Sequence, residues 1–340
     1  MSDQVIAHKI RSSVLRSSIG KASIITTVFA LAFVALNGCA SSMSNATFAV
    51  VNSRASAPST TYPAAENRGN SADFLAACKD WDEWDKTAPP FQILGNTFHV
   101  GTCGISAILV TGEEGHVLID SGTDAGADVV LANIRALGLE PRDVRYLLNS
   151  HEHFDHVGGH AKIAAATGAT VLASPRAAAV LRTGISDPDD PQAGMHDPFE
   201  PVAAVEEIAD GETITLGNLE LTAHFTPGHS PGATSWTWWA CTLPDEPPVC
   251  RRIAYVDSLS PVSADAYRFS DHPAGVAAFR TSIDRVRSLP CDILATPHPS
   301  ASKMLEKLRG GRLVEQGQCT DYAAALTKAL DTRLEREYDD

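Results

Sequence analysis

Apolar and polar positions alternate along many short segments of the chain, and a few longer segments carry apolar residues at helical spacing instead. The predicted strands are 91–100, 106–111, 116–120, 146–149, 170–172, 213–225, 233–240, 251–257 and 291–295. The predicted helices are 128–137, 160–167, 176–183, 273–288 and 320–336. Two β-rich halves with helices outside them predict an α/β fold, an αββα sandwich of two mixed β-sheets flanked by helices.

One segment interrupts this pattern. Residues 187–201 contain four prolines, several acidic residues and His196. Proline lacks a backbone donor and breaks helices and central strands, so this segment is predicted to be a surface loop.

The sequence His151-Glu152-His153-Phe154-Asp155-His156 follows directly on the predicted strand 146–149. Alternate residues of an extended segment share a face, so His151 and His153 can reach one ion together. Asp155 and His156 fall at the following turn, where they could serve a second ion. Imidazole and carboxylate are ligands that zinc accepts. A polar loop with chance histidines is the alternative.

Two distant histidines occur in similar surroundings. His229 lies in the turn Thr226-Pro227-Gly228-His229-Ser230, after an alternating strand, and His298 lies in Thr296-Pro297-His298-Pro299, after another. Sites in layered α/β folds are built where strands end. Five histidines and one aspartate are enough for two three-ligand zinc sites that keep open positions for water and substrate.

Over about residues 85–335 these motifs resemble the subclass B3 metallo-β-lactamases, within the wider metallo-β-lactamase fold. The resemblance implies a first zinc held by His151, His153 and His229 and a second held by Asp155, His156 and His298. Within Ala254-Tyr255-Val256-Asp257-Ser258-Leu259-Ser260, it implies that Ser258 and Ser260 bind the substrate carboxylate and that Asp257 points away from the metals. Glu152 and Phe154 are expected to be spacers rather than ligands.

The resemblance also implies an activity, the zinc-dependent hydrolysis of β-lactams by a metal-bound hydroxide that Asp155 orients. Penicillins, cephalosporins and carbapenems would be its substrates, and antibiotic resistance its consequence. Two alternatives stay open. One is another hydrolase of this fold, a lactonase or a thioester hydrolase, in which an aspartate in the Asp257 region bridges both metals. The other is a zinc-binding lipoprotein without enzymatic activity.

In this family the loop at 187–201 borders the active site. His196 is therefore either a substrate contact or a solvated loop histidine. The histidines His99, His116, His160, His224 and His272 fall in predicted strands or at helix starts and are not expected to be ligands.

Six cysteines remain when Cys39 is set aside, and an even number in an exported chain suggests disulfides. The sequence alone allows fifteen pairings. The resemblance implies the sequential order Cys78–Cys103, Cys241–Cys250 and Cys291–Cys319.

Residues 1–38 have the features of an export signal, with four basic residues, Lys9, Arg11, Arg16 and Lys21, before an apolar stretch at 22–36. Leu36-Asn37-Gly38-Cys39 resembles a bacterial lipobox. Lipidation of Cys39 would anchor the protein in the outer membrane on its periplasmic side. Ordinary signal cleavage, which would release a soluble periplasmic protein, is the alternative.

The formal net charge is −14, and removal of residues 1–38 makes the chain more negative, which argues against nucleic-acid partners. Residues 39–84 are expected to form a flexible tether and N-terminal extension, and residues 85–340 the catalytic domain. We expect a monomer with a small-molecule substrate and with membrane contact only through the lipid.

Overall fold

Two β-sheets lie face to face in the computed structural model, which describes residues 69–242 and 247–339. The seven-stranded sheet contains, in spatial order, β1 (Phe91–Leu94), β2 (Thr97–His99), β3 (Ile108–Gly112), β4 (Gly115–Ile119), β5 (Val144–Leu148), β6 (Thr170–Ala173) and β7 (Val205–Glu207). The five-stranded sheet contains, in spatial order, β12 (Ile293–Ala295), β11 (Cys250–Tyr255), β10 (Thr234–Cys241), β9 (Leu219–Phe225) and β8 (Thr213–Leu216). Both sheets are mixed, because β4 to β7 pair in parallel, as do β11 and β12, whereas the other pairs are antiparallel.

The α-helices of the described residues are α1 (Ser71–Ala77), α2 (Asp124–Ala136), α3 (Phe154–Val157), α4 (His160–Thr167), α5 (Pro175–Thr183), α6 (Pro273–Ser288), α7 (Met304–Arg309) and α8 (Gln318–Asp339). Hydroxyl caps determine where two of them begin. Thr123 accepts the amide of Gly126 at the start of α2, and Ser174 accepts that of Ala177 at the start of α5. None of the helices described is both long and apolar enough to cross a membrane.

Alternation along the strands produces the layers. On β3, Ile108 and Val110 face the space between the sheets, whereas Leu109 packs under the outer helices. On β11, Ile253 and Tyr255 face inward, and Ala254 packs with α6 and α8 on the outside. The fold is therefore the αββα sandwich that the sequence predicts, and that prediction is confirmed.

Some predicted boundaries differ from those observed. The predicted strand 91–100 is divided by a turn at Gly95, and 213–225 by a turn at Gly217, both with positive φ. Helix α2 begins four residues earlier than predicted because Thr123 caps it. The short elements α1, β7 and α7 were not predicted, since each is too brief to show a hydrophobic period.

Residues 71–84, assigned from the sequence to the N-terminal extension, include an ordered helix. Phe74 of α1 is fully buried in the core between the sheets. Cys78, which follows α1, is bonded to Cys103, and the other disulfides join Cys241 to Cys250 and Cys291 to Cys319. The predicted export signal and the predicted lipidation site, Cys39, lie outside the described residues.

Candidate metal centre

The histidine motif lies between the end of β5 and the short helix α3. His153 has an extended backbone, with φ −78° and ψ 149°, and its carbonyl accepts the amides of His156 and Val157 as α3 begins. The extended segment places His151 and His153 on one side and Glu152 on the other. Asp155 and His156 then follow on the first turn of α3, beside the two histidines.

Three histidines form the first cluster. His229, on the turn after β9, has its ring centroid 4.8 Å from those of His151 and His153, which lie 4.7 Å from each other. One ligand nitrogen of each histidine lies within 4.8 Å of the others. The structure therefore brings together the three residues assigned from the sequence to one ion.

The remaining ring nitrogen of each of these histidines faces an acceptor. Nε2 of His153 donates to Oδ2 of Asp190 at 2.9 Å, and Nδ1 of His229 donates to the carbonyl of Ser260 at 2.8 Å. Nδ1 of His151 donates to the hydroxyl oxygen of Ser150 at 3.1 Å, and Oδ1 of Asp257 lies 2.9 Å from the same nitrogen without hydrogen-bond geometry. Such acceptors fix the tautomer and the ring orientation of metal-binding histidines. The opposite nitrogen of His151, Nε2, is buried without a hydrogen-bond partner, as expected for a nitrogen that binds a metal ion.

The second cluster consists of Asp155, His156 and His298. Oδ2 of Asp155 lies 3.0 Å from Nε2 of His156 and 3.5 Å from Nε2 of His298. Ligand atoms about 2.0–2.1 Å from a tetrahedral zinc ion are about 3.3 Å apart, so these separations fit three ligands of one ion. His298 is further held by its Nδ1, which donates to the carbonyl of Gly104 at 3.3 Å.

Burial keeps several of these imidazoles neutral, which is the form that binds metal. It lowers the pKa of His229 to about 3 and that of His298 to about 4, and it lowers the pKa of His151 well below its ordinary value. For His153 and His156, burial is outweighed by the carboxylates of Asp190 and Asp155, which raise the pKa. The donor set of five imidazoles and one carboxylate therefore fits zinc in type and spacing.

Asp120, which the sequence analysis did not single out, lies beneath the clusters. It follows β4 with a positive φ of 65°, a strained conformation for a non-glycine residue. Its carboxylate accepts from the amide and the hydroxyl of Ser150 and from Tyr255 Oη, and it lies 3.9 Å from Nδ1 of His156. Burial raises the pKa of Asp120 to about 6. Its signal in the sequence is a single acid at the end of a buried strand, which is too common to select a site.

Asp257, on the segment after β11, is fully buried. Its Oδ1 lies 2.9 Å from Nδ1 of His151, on the opposite side of that ring from the unpaired Nε2, and its Oδ2 accepts from the amide of Leu259. The hydroxyl of Ser258 is buried without a hydrogen-bond partner, and that of Ser260 lies 3.2 Å from Nδ1 of His229. Ser260 therefore borders the three-histidine cluster, and Ser258 directly follows Asp257, which borders the cluster at His151.

Aromatic side chains flank the second cluster. The rings of Trp81 and Trp84, which are 69% and 40% exposed, lie 6.2 and 6.0 Å from that of His298. Phe154 packs against Trp84 and against the exposed His196 of the proline-rich loop. Phe154 and His196 therefore belong to an aromatic rim beside the clusters, a role that the sequence alone did not assign to Phe154.

Comparison with known proteins agrees with this geometry. The model of the metallo-β-lactamase superfamily matches residues 100–236. The chain is 35% identical over 121 residues to a hydroxyacylglutathione hydrolase from Anaeromyxobacter dehalogenans (strain 2CP-C), an alignment that spans 36% of this chain and only 37% of that protein.

Solved structures match over much more of their length. The MIM-2 metallo-β-lactamase is 52% identical, with a TM-score of 0.73, and the match covers 78% of this chain and 97% of that one. MEM-A1, a subclass B3 metallo-β-lactamase isolated from a soil metagenome library, is 38% identical with a TM-score of 0.72, over 76% of this chain and 99% of that one. With its αββα fold and its paired histidine clusters, the chain belongs to the subclass B3 metallo-β-lactamases.

Proposed function

We propose that this protein is a zinc-dependent hydrolase that opens the amide bond of β-lactams. The observation that carries the proposal is the pair of adjacent donor clusters, in a chain that matches metallo-β-lactamases over nearly their entire length. His151, His153 and His229 would hold one zinc ion, and Asp155, His156 and His298 a second. Two zinc ions bound there would lower the pKa of a water molecule and polarise the amide carbonyl.

The protein's own groups prepare the site for this chemistry. Asp190, the hydroxyl of Ser150 and the carbonyl of Ser260 accept hydrogen bonds from the three histidines of the first cluster and hold them in fixed orientations. Asp155 has a second carboxylate oxygen, Oδ1, which we propose orients the attacking water. Fixed ligands of this kind cost no reorganisation when the reaction occurs.

The substrate is proposed to bind between the serine segment and the aromatic rim. The unpaired hydroxyl of Ser258 is available to donate to a carboxylate of the substrate, and Ser260 lies on the same segment. Trp81 and Trp84 expose apolar surface on the side of His298, where it could pack against the side chain of a β-lactam.

A lactonase or a thioester hydrolase is the second candidate, in view of the partial similarity to a hydroxyacylglutathione hydrolase. In such enzymes the discriminating feature is an aspartate that bridges both metals. Here the carboxylate of Asp257 lies 2.9 Å from Nδ1 of His151, behind the ring rather than on the side of its unpaired Nε2. This position favours β-lactam hydrolysis over the alternative.

One set of assays tests the proposal. The purified protein should hydrolyse a chromogenic cephalosporin and a carbapenem, lose this activity on removal of metal, and regain it with zinc at two ions per chain. A glutathione thioester and an acyl lactone are the competing substrates. Turnover of either of these without turnover of a β-lactam would overturn the proposal.

Histidine variants supply the matched control. His153→Ala should abolish turnover because it removes a ligand, whereas His272→Ala should retain it, since His272 is an exposed residue outside both clusters. His160 is less suitable as a control, because it is fully buried and its Nδ1 lies 2.8 Å from the hydroxyl of Ser121.

We also propose that the protein is exported and anchored by lipid at Cys39, on the basis of Leu36-Asn37-Gly38-Cys39. Cys39→Ala should move it from the membrane fraction to the soluble periplasm, and the purified catalytic domain should sediment as a monomer. A wild-type protein that is fully soluble and carries no lipid by mass spectrometry would contradict the anchoring.

A further inference from the structure

The middle residue of the histidine motif, Glu152, has a partner far away in the sequence. Its side chain is buried, with an exposed fraction of 2%. Oε2 accepts from the hydroxyl of Ser230 at 2.8 Å, and Oε1 accepts from the amide of Gly232 at 2.7 Å. The two donors are 78 and 80 residues away from Glu152 along the chain.

These donors directly follow His229 on the segment that carries it. Ser230 is the next residue after this histidine, and Gly232 follows two positions later. A Cβ atom on Gly232 would lie 2.7 Å from Oε2 of Glu152 and 2.4 Å from the amide nitrogen of Ala177, so only glycine permits this close approach. The carboxylate is thus enclosed by the segment that it holds.

Two further hydrogen bonds hold the segment that follows His229. The amide of Thr234 donates to the carbonyl of Ser150 at 2.7 Å, one residue before the motif begins. The hydroxyl of Ser174 donates to the carbonyl of Gly232 at 2.6 Å. Of these three links, only that of Glu152 originates within the metal-binding motif itself.

We propose that Glu152 is a positioning residue that holds His229 against His151 and His153, and so sets the metal affinity of the three-histidine cluster. The inference rests on the proposed metal site and does not depend on the substrate. Asp155, His156 and His298 reach their positions through α3 and the loop after β12. The second cluster is therefore expected to be insensitive to the loss of Glu152.

Metal binding to the purified protein tests the proposal without an activity assay. Removal of an outer partner of a metal ligand weakens binding roughly 10–100-fold, and Glu152→Ala should do so at the three-histidine cluster alone. Cadmium NMR, in which the two clusters give separate resonances, combined with chelator competition, assigns the loss to one cluster. Equal weakening at both clusters, or none at either, would overturn the proposal.

Glu152→Gln separates position from charge. Its Oε1 can still accept from Gly232, and its Nε2 can donate to the hydroxyl of Ser230, which then acts as the acceptor. Affinity close to that of the wild type is therefore expected. A loss as large as that of Glu152→Ala would show that the negative charge, rather than the hydrogen-bonded position, is what matters, and would overturn the proposal.

Two further variants complete the test. Ser230→Ala removes one donor but leaves Gly232 in place, so it should give a smaller loss confined to the three-histidine cluster, even if Glu152→Ala fails to fold. An unchanged affinity there would contradict the proposal. Glu220→Ala, an exposed residue on β9, is the control. If the wild type itself binds no metal at this cluster, the proposed function fails, rather than this inference alone.

Discussion

At the scale of single residues, His99 of β2 is a source of acid sensitivity. It is fully buried between the rings of Phe74 and Phe91, and neither ring nitrogen has a hydrogen-bond partner. Burial lowers its pKa from 6.5 to about 3. Because the folded-state pKa lies below the unfolded value, the stability from neutral His99 is complete above pH 6.5 and is lost as the pH falls from 6.5 towards 3.

Replacement of His99 by phenylalanine should remove this dependence. Between pH 8 and pH 5 the wild type should lose about 2 kcal/mol of unfolding free energy through this residue, and His99→Phe should not. Denaturant unfolding at the two pH values measures the difference. The exposed His272→Phe serves as the control, and an unchanged pH dependence in His99→Phe would refute the assignment.

Asp190 is a loop residue that we expect to influence the affinity for zinc. It is buried, lies in the proline-rich loop, and accepts from Nε2 of His153. Asp190→Asn should lower zinc affinity roughly 10–100-fold, since it removes the charged acceptor that orients a ligand. Chelator competition measures this. Asp197→Asn, at an exposed position of the same loop, should bind zinc like the wild type, and equal affinities in both variants would contradict the role of Asp190.

At the scale of elements, the turn that carries His229 is packed tightly on helix α6. A Cβ atom on Gly228 would lie 2.5 Å from two ring carbons of Phe279 and 3.1 Å from its Cα. Gly228→Ala should therefore cost about 1–3 kcal/mol of unfolding free energy and weaken zinc binding, because either the turn or the helix must shift. Denaturant unfolding of the metal-free protein measures the loss of unfolding free energy, and chelator competition measures the loss of zinc affinity.

Gly275 of α6 is the matched control. A Cβ atom there would meet only Cβ of His272, at 3.7 Å. Gly275→Ala should be neutral or should stabilise by up to about 1 kcal/mol, because alanine has the higher helix propensity. Similar destabilisation in both variants would show that the contact with Phe279 is not the cause.

At the scale of the whole molecule, the disulfides should stabilise the fold by different amounts, according to the lengths of the loops that they close. Cys78 and Cys103 are separated by 25 residues and Cys241 and Cys250 by nine. The chain-entropy model gives about 3.5 kcal/mol for the first and about 2.6 kcal/mol for the second. Unfolding of the two double alanine variants measures both, and a larger loss for the shorter loop would contradict this order.

The sequence by itself determined the alternation that builds two sheets, the turns that end their strands, and the identity of the six candidate metal donors. These signals are visible because they are local: a strand has a period of two residues, and a histidine motif occupies six positions. Proline and glycine mark the turns around His229 and His298 in the same way. The family resemblance rests on these local signals.

Only the tertiary structure decided what surrounds those donors. Asp120 meets Ser150 across 30 positions, Asp190 meets His153 across 37, and Glu152 meets Gly232 across 80. No period or spacing encodes such pairs, because they form only when strands pair, as β4 does with β5, and when the sheets and loops pack together at one edge. From the sequence alone, Glu152 is interpreted as a spacer and Asp257 as a residue away from the metals. Only the folded structure places the carboxylate of Glu152 at Ser230 and that of Asp257 beside His151.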